Sequence, residues 1–514
     1  MQPTETELKL RLDPQHVARL KDSAALAGTA PSETEVLNVY FDTSDRLLQR
    51  HSMALRVRRI DGRWLQTLKI AGKRGALSRR GEWETPARVV RGAGRLDLAR
   101  FENVPLRELL AKQKTTPQLR TVFRTRFGRT RWLIKRADAL IEVALDVGEI
   151  TAGRDGAQCE PICEVELELK RGNPAALIET AFELLDVGGK ARPKLTPVAR
   201  SKAERGYQLA HEPAAAVKAS AKGFVKGLAP QVATPQALRV AMAHGVAVLT
   251  ANAELLLQHD DPECVHQARV ALRRVRSAIR LFDAEEHDVP PALASELHWF
   301  ASALGAARDW DVIADQTLPL LVEAIGARAV GALVAKAEQQ RRRERTKIRA
   351  AVKSTRYAAL VLSAELWCMT SAPRSRSLGA AASPSLQRAA KRLFKAGRFF
   401  TVLTPARRHR VRIFSKRLRY ALDLFTIALP KQATARYIDA LAQLQEVLGL
   451  LNDAVVAAAV VPQLSKSARL QKSVRKWLAS IELEHVRDVE ARLLKLSKLK
   501  KPWLAPTAEP APKT

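Results

Sequence analysis

The chain has 514 residues, enough for two or three domains, and its 46% hydrophobic content suffices to bury real cores. Lys and Arg total 86 against 53 Asp and Glu, a formal net charge of +33 that favours polyanionic partners: nucleic acid, an anionic membrane surface or inorganic phosphate chains. Aromatic residues, at 5%, are sparse for a protein that stacks on bases, which argues against a binder of single-stranded nucleic acid.

Cys159, Cys163, Cys264 and Cys368 follow no disulfide or metal-ligand ladder; Cys159 and Cys163 have no second pair with which to build a structural zinc site. The opening MQPTETELKLRL has neither the basic stretch nor the apolar run of a signal peptide. The longest later apolar run, Ala454 to Val461, is too short to span a bilayer. The expectation is a soluble, cytoplasmic protein that binds no membrane.

In chain order, short alternating runs come first: Leu8 to Leu12, Ala54 to Arg59, Gln66 to Ile70 and Cys163 to Lys170, separated by Gly, Pro and Asp/Asn breaks, which is strand chemistry. After Pro235 the apolar residues recur three and four apart in Ala/Leu/Arg-rich stretches, which is helix chemistry. The expected domains are therefore 1–210 and 236–500, joined by a linker over 211–235 rich in Ala, Lys, Gly and Pro. A break at Ser371–Ser385 divides the helical part into about 236–370 and 386–500, and 501–514 is expected to be a disordered tail.

The acids of the first part are unusually placed. Glu5, Glu7, Lys9 and Arg11 alternate with apolar residues, so a strand puts them on one face. One such strand reads as an edge with a solvated face, but the pattern recurs. Arg56 and Arg58 alternate with Leu55 and Val57, Glu82 and Glu84 flank Trp83, and Arg124 and Arg126 flank Thr125. Glu164, Glu166 and Glu168 alternate with Val165, Leu167 and Leu169. Strands with one apolar face and one face of a single charge sign fit a closed barrel, apolar faces outward under helices and charged faces lining a cavity. Burying so many charges is prohibitive unless the acids meet metal ions and the bases meet an anion. Carboxylates suit Mg²⁺ or Mn²⁺, and Arg and Lys suit phosphoryl oxygens.

Glu5-x-Glu7-x-Lys9 resembles the signature of the CYTH family, the triphosphate tunnel metalloenzymes. The order Tyr40-Phe41-Asp42-Thr43, Leu55-Arg56-Val57-Arg58, Thr67-Leu68-Lys69, Arg80-Gly81-Glu82-Trp83-Glu84, Arg124-Thr125-Arg126, Leu145-Asp146, Glu164 to Glu168 and Lys194 extends the resemblance across 1–210. It implies a closed antiparallel tunnel of eight strands with flanking helices, which hydrolyses or cyclises triphosphate-containing substrates with a divalent cation. It further implies metal-binding carboxylates at Glu5, Glu7 and Asp146 and among Glu164, Glu166 and Glu168, with Glu82 and Glu84 completing the acidic side. Lys9, Arg56, Arg58, Lys69, Arg124, Arg126 and Lys194 form the implied phosphate cradle, and Glu5, Glu7 and Lys9 the implied catalytic set. No GxxxxGK[ST] loop is present, so side chains hold the phosphates.

The helical part is duplicated. His266-x-x-Arg269-x-x-x-Arg273-Arg274-x-Arg276 matches His409-x-x-Arg412-x-x-x-Lys416-Arg417-x-Arg419 at an offset of 143, and Leu304-Gly305 to Asp309 matches Leu448-Gly449 to Asp453 at 144. Positions i, i+3, i+7 and i+10 share one helix face, so each copy carries a basic stripe with a histidine at one end. Each copy supplies one His and no carboxylate or thiol at ligand spacing, which favours phosphate over metal. The pattern resembles the CHAD domain, an α-helical domain associated with inorganic polyphosphate. That resemblance implies polyphosphate contacts at His266, Arg269, Arg273, Arg276, His409, Arg412, Lys416 and Arg419. Arg308, Asp309, Asp311, Asn452 and Asp453 read as structural partners of neighbouring helices, and Arg341 to Arg345 as a solvated helix face or peripheral polyanion contact.

The sequence thus implies an α+β tunnel followed by an all-α duplicated bundle. The expected function is metal-dependent hydrolysis of inorganic triphosphate, joined to polyphosphate binding, without specific nucleic-acid recognition and with possible association with polyphosphate granules. The rivals are a class IV type adenylate cyclase, a non-catalytic polyphosphate-granule binder and a general nucleic-acid binder. Oligomeric state is not legible from the sequence.

Overall fold

The structure is a computed structural model that describes residues 4–73, 77–101, 105–113, 118–136, 138–153, 156–185, 193–211, 227–282 and 288–504; for Thr4, residues 71–73, Arg79 and Arg80 only the backbone is described. The chain divides into two compact units. The first is Met1–Ala219 with Val246–His259 and Ala351–Met369; the second is Ser220–Gly245, Asp260–Ala350 and Thr370–Thr514.

The first unit contains strands β1 (Thr4–Leu12), β2 (Ser32–Asp42), β3 (Met53–Ile60), β4 (Arg63–Lys73), β5 (Leu77–Pro86), β6 (Arg88–Val90), β7 (Ala93–Arg95), β8 (Arg120–Lys135), β9 (Leu140–Ala152), β10 (Gln158–Arg171) and β11 (Leu195–Pro197). Its helices are α1 (Val17–Lys21), α2 (Leu47–Arg50), α3 (Pro105–Ala111), α4 (Ala175–Leu185) and α5 (Lys202–Ala210). The antiparallel pairings run β10-β9-β8-β2-β3-β4-β5-β1, and β1 pairs in turn with β10, so each of eight strands has a neighbour on both sides. β6 and β7 form a separate ribbon, and β11 adds to β1.

Outward-facing Leu8, Leu10, Val165 and Leu167 are buried, as are Leu177, Ile178, Ala181 and Leu184 of α4, which packs on β1 and β10. Leu55 and Leu68 pack with Leu47 and Leu48 of α2 and with Leu106 and Leu109 of α3. At one end the inside of the barrel is apolar too. Val36, Tyr40, Ile60, Phe123, Phe127, Ile150 and Ile162 form a packed core with Tyr207 of α5. Gly206 is required there, because a Cβ at that position would lie 2.1 Å from the Phe123 ring.

The remaining helices are α6 (Thr234–Leu256), α7 (Pro262–Ile279), α8 (Pro291–Val312), α9 (Leu318–Ile325), α10 (Ala327–Val352), α11 (Thr355–Met369), α12 (Leu378–Gly397), α13 (Pro405–Phe425), α14 (Lys431–Leu464) and α15 (Ala468–Lys498). The end of α6 and all of α11 fall in the first unit, so a single cut near residue 210 does not describe the division. Contacts distant in sequence tie the end of α6 to this unit: Glu254, 2% exposed, accepts hydrogen bonds from the Arg200 guanidinium at 3.0 Å, from the Ala199 and Arg200 backbone N–H groups at 3.2 Å each and from Arg11 at 3.3 Å.

In the second unit, α7–α8 and α13–α14 are the two copies of the repeat, with α7 packed on α13. α12 begins at Leu378, inside the expected break, because the Ser377 hydroxyl accepts from the Ala380 N–H and caps it; Pro384 lies within the helix. The first residues of the expected tail are ordered. Pro502–Leu504 form a short turn in which the buried Trp503 meets the Tyr437 ring edge-on at 5.1 Å. Residues 505–514, and 212–226 of the expected linker, lie outside the described residues. α14 is long and apolar enough, by length and composition, to cross a membrane, which a search for uninterrupted apolar runs passes over. Its Tyr437, Leu441, Leu444 and Leu448 are buried, and it packs on α13 and α15.

Candidate functional site

The barrel lumen, about 850 Å³, is lined by Glu5, Glu7, Lys9, Arg56, Arg58, Lys69, Glu82, Glu84, Arg129, Arg131, Glu142, Glu166, Glu168 and Lys202, among others. Strand register explains the rows. Asp146 on β9 stands between Arg129 on β8 and Glu164 on β10, and Glu166 stands between Ala144 on β9 and Lys9 on β1. Glu7 is opposite Glu168, which is opposite Glu142.

Opposite charges meet directly. Arg129 donates twice to Asp146, at 2.7 Å to each oxygen, and once to Glu166 at 2.6 Å. Lys9 lies 2.5 Å from Glu7, and Lys69 bridges Glu5 at 2.8 Å and Glu82 at 3.1 Å. Arg58 lies 3.5 Å from Glu84, and Arg56 lies 3.8 Å from Glu82. From α5, Lys202 contacts Asp146 at 2.7 Å, Glu166 at 3.0 Å and Glu164, while Arg205 pairs with Glu160 at 2.7 Å and Glu164 at 2.8 Å. Ser201 and Glu204 make a reciprocal capping box that starts α5 at Lys202.

Burial drives the lumen cations apart in behaviour. It lowers Lys9, and it pulls Arg58 down to about 10. At Lys202 burial is outweighed by Asp146, Glu164 and Glu166, so its ammonium is held more tightly than usual. At Glu166 burial is likewise outweighed, by Lys202, Arg129 and Lys9, which keeps its carboxyl well below the ordinary range. The buried Nε atoms of Arg56 and Arg58 have no hydrogen-bond partner, so the β3 wall retains donor capacity.

Asp146, Glu164 and Glu166 can each place one carboxylate oxygen within 4.8 Å of the others. Three hard oxygen donors converging in this way fit a divalent cation. Of these three only Glu166 lines the lumen, Asp146 and Glu164 being buried beside it; Glu5, Glu7, Glu82 and Glu168 line it too, and each is likewise engaged by a lysine or arginine.

Three expected cradle residues are placed elsewhere. Arg124 and Arg126 are exposed and point outward, Arg126 lying 3.5 Å from Glu35 on the barrel exterior. The reason is that apolar means inside at that end of β8: Phe123, Thr125 and Phe127 fill the packed end, and Arg129 and Arg131, of the same parity, carry that face into the lumen. Lys194 is exposed, and it is its backbone N–H that matters, donating to the buried His16 ring at 3.0 Å.

In the second unit a cleft of about 1260 Å³ is lined by His266, Arg269, Arg273, Arg276, His409, Arg412 and Lys416. Arg280, Arg308, Arg408 and Arg417 add to it, against Asp309, Asp453 and Glu482. Arg269 lies 3.8 Å from Asp309, Arg408 lies 2.7 Å from Glu482, and the His409 ring meets Asn452 at 2.8 Å. Asp309, Asn452 and Asp453 therefore belong to the cleft wall, whereas Asp311 is structural, bound by Arg341 at 3.0 Å and Arg345 at 2.8 Å. Arg419 does not line the cleft; it acts electrostatically on Asp423, which Arg274 binds at 3.0 Å.

The Nε atoms of Arg273, Arg408 and Arg412 are buried without hydrogen-bond partners. Burial, then Arg412, Arg273 and Arg269, push the Lys416 ammonium down to about 6. Burial also lowers His266 and raises Asp309 and Asp453.

Sequence reading missed Arg129 and Lys202 in the lumen, and Arg205 on the buried Glu164. The signal for the last two was present: Ser201-x-x-Glu204 is a helix start, and Lys202 and Arg205 share a face of the helix it begins.

Residues 3–207 match the CYTH domain family and residues 240–462 the CHAD domain family. The first part is 34% identical over 208 residues to an inorganic triphosphatase of Haemophilus influenzae, a match covering 40% of this chain and 54% of that protein. The chain thus spans about half the length of that curated relative. Among solved structures, the CHAD domain of the plant Ricinus communis is 32% identical with a TM-score of 0.50, covering 55% of this chain and 97% of that one. PptA from Streptomyces chartreusis is 17% identical with a TM-score of 0.38, covering 52% and 96%. The lumen and the duplicated cleft thus fall in two recognised families, and the chain carries a CYTH domain followed by a CHAD domain.

Proposed function

We propose that the first domain hydrolyses inorganic triphosphate to diphosphate and phosphate with a divalent cation, Mg²⁺ or Mn²⁺, and that the second binds inorganic polyphosphate. The observation that carries the first part is a lumen lined by both charge signs, with Glu142, Glu166 and Glu168 of β9 and β10 and, across it, Arg56, Arg58 and Lys69 of β3 and β4, while Asp146 and Glu164 are buried next to Glu166. A receptor for a bare polyanion has no use for so many inward carboxylates. The inorganic triphosphatase relative supports the same substrate class.

Asp146, Glu164 and Glu166 would hold the cation, which when bound supplies Lewis-acid withdrawal of charge from phosphoryl oxygens. Arg56 and Arg58, with unengaged buried Nε donors, bind the chain and stabilise charge building on the leaving phosphate. Lys9 and Lys69, held by Glu7 and Glu5, fix the remaining oxygens, and a carboxylate of the same wall orients the attacking water. Incubating the full chain with tripolyphosphate, longer polyphosphates, thiamine triphosphate and ATP, each with Mg²⁺, Mn²⁺ or EDTA, tests this. Fastest turnover on tripolyphosphate, abolished by EDTA, is expected; cyclic AMP as main product would identify a cyclase instead.

Outward placement makes a second test. Arg124 and Arg126 replaced together by Ser should leave tripolyphosphate turnover within about twofold. Arg129→Ala should lower it by about a hundredfold, because Asp146 and Glu166 lose the cation that positions them.

For the second domain, the cleft supplies a row of cations with spare donors and few acids, the chemistry of a phosphate chain. Arg269→Glu with Arg412→Glu should weaken polyphosphate binding by more than about tenfold and leave tripolyphosphate hydrolysis intact, as read by filter binding and phosphate release. Duplex DNA competing equally with polyphosphate at matched phosphate concentration would instead indicate a general nucleic-acid binder.

A further inference from the structure

The acidic cluster suited to a metal is already neutralised by the protein. Lys202 reaches all three carboxylates, at 2.7 Å from Asp146, 3.0 Å from Glu166 and in contact with Glu164, and Arg129 adds bonds to Asp146 and Glu166. The contact to Glu166 is a hydrogen bond, and those to Asp146 and Glu164 are ion pairs. Lys202 and Arg129 thus already offset most of the negative charge, with Arg205 also on Glu164, and a dication entering beside Lys202 would tip the buried site to net positive. Lys202 is the first residue of α5, its long unbranched side chain also lines the open lumen, and its ammonium lies 5.1 Å from the centre of the lumen-facing Phe127 ring. Arg129, by contrast, is fixed by a two-pronged bond to Asp146.

We infer that Lys202 is an exchangeable cation. It holds the three carboxylates together until a metal–phosphate complex arrives, then yields them to the metal and turns its ammonium to a phosphoryl oxygen. Lys202 is thereby a positioning residue that couples metal to substrate. The metal alone competes with Lys202, whereas metal and phosphate together offer the displaced ammonium a new anion. Coupling of this kind is reciprocal: the phosphate chain raises metal affinity by the same factor as the metal raises phosphate affinity. This inference rests on the metal-dependent reading given above.

The test is Mn²⁺ binding to the full chain, read from the electron paramagnetic resonance signal of free Mn²⁺, with and without the non-hydrolysable methylenediphosphonate. Lys202→Met removes the competitor and should bind Mn²⁺ alone about tenfold or more tighter than wild type, with a smaller gain from methylenediphosphonate. A merely structural lysine predicts the opposite, since losing it would scatter the carboxylates and weaken Mn²⁺ binding. Lys202→Arg, which grips carboxylates in a planar fork, should bind Mn²⁺ alone more weakly than wild type; it keeps the inference testable if Lys202→Met does not fold. Equal or weaker Mn²⁺ affinity in Lys202→Met, or tighter affinity in Lys202→Arg, overturns the exchange while leaving a metal-dependent enzyme. No Mn²⁺ bound by any of the three proteins under either condition overturns both.

Discussion

Asp146→Asn is expected to destabilise the first unit by about 3 kcal/mol and to cut tripolyphosphate turnover at least about a hundredfold. Asp146 is fully buried and takes three contacts from two cations: two bonds from Arg129 and the Lys202 ammonium. An asparagine fills the same volume but cannot balance the charge, so both cations fall back on Glu164 and Glu166. The stability loss comes from those under-compensated cations. The activity loss has a separate origin, because a trio of carboxylates becomes a pair. Urea unfolding gives the first quantity. Turnover measured well below the unfolding midpoint, where the variant remains folded, gives the second. If turnover per folded molecule is unchanged, the β9–β10 wall is a folding element and the chemistry lies elsewhere in the lumen.

At Lys416 the expected result is a pH effect. The ammonium, pushed down to about 6 by burial and by Arg412, Arg273 and Arg269, against the pull of Asp453, is mostly neutral at pH 8. A phosphate chain in the cleft favours the charged form, so binding near pH 7 should take up a proton, detectable by calorimetry in buffers of different ionisation enthalpy. Lys416→Arg, which restores the residue type of Arg273 in the first copy, should bind polyphosphate about tenfold tighter at pH 8 and flatten the difference between pH 8 and pH 6. Titration of the phosphate chain itself cancels in that comparison. Stability has the opposite sign. Between about 6 and its unfolded value of 10.5, Lys416 binds a proton in the unfolded chain and not in the folded one, so its contribution falls as pH falls through that window. Lys416→Met should therefore be more stable than wild type at pH 7 while binding polyphosphate less well.

The alternation of charge and hydrophobicity made the barrel legible, because β1, β3 and β10 each separate an apolar outer face from a charged inner one. The repeat made the cleft legible, because His266 to Arg276 and His409 to Lys416 recur on facing helices. Two things escaped. On β8 the rule that apolar residues face outward inverts where the strand runs into the packed end, so RTRFGRTR holds two Arg-x-Arg pairs of opposite parity and only the second faces inward. Lys202 and Arg205 come from a helix whose start is legible in Ser201-x-x-Glu204 but whose placement inside the barrel follows from tertiary packing of Tyr207 and Gly206 on Phe123. The unit boundary escaped for a similar reason, since Glu254 binds Arg200 across 54 residues of sequence.

The aromatic and aliphatic plug formed by Tyr40, Phe123, Phe127, Ile150, Ile162 and Tyr207 makes the lumen a cul-de-sac. Under the function proposed above, a linear phosphate chain would then be consumed only from a terminus, because an interior phosphate would need two exits. Entry and departure share one doorway, so released product obstructs the next molecule, and a chain longer than the lumen must leave its remainder trailing in water.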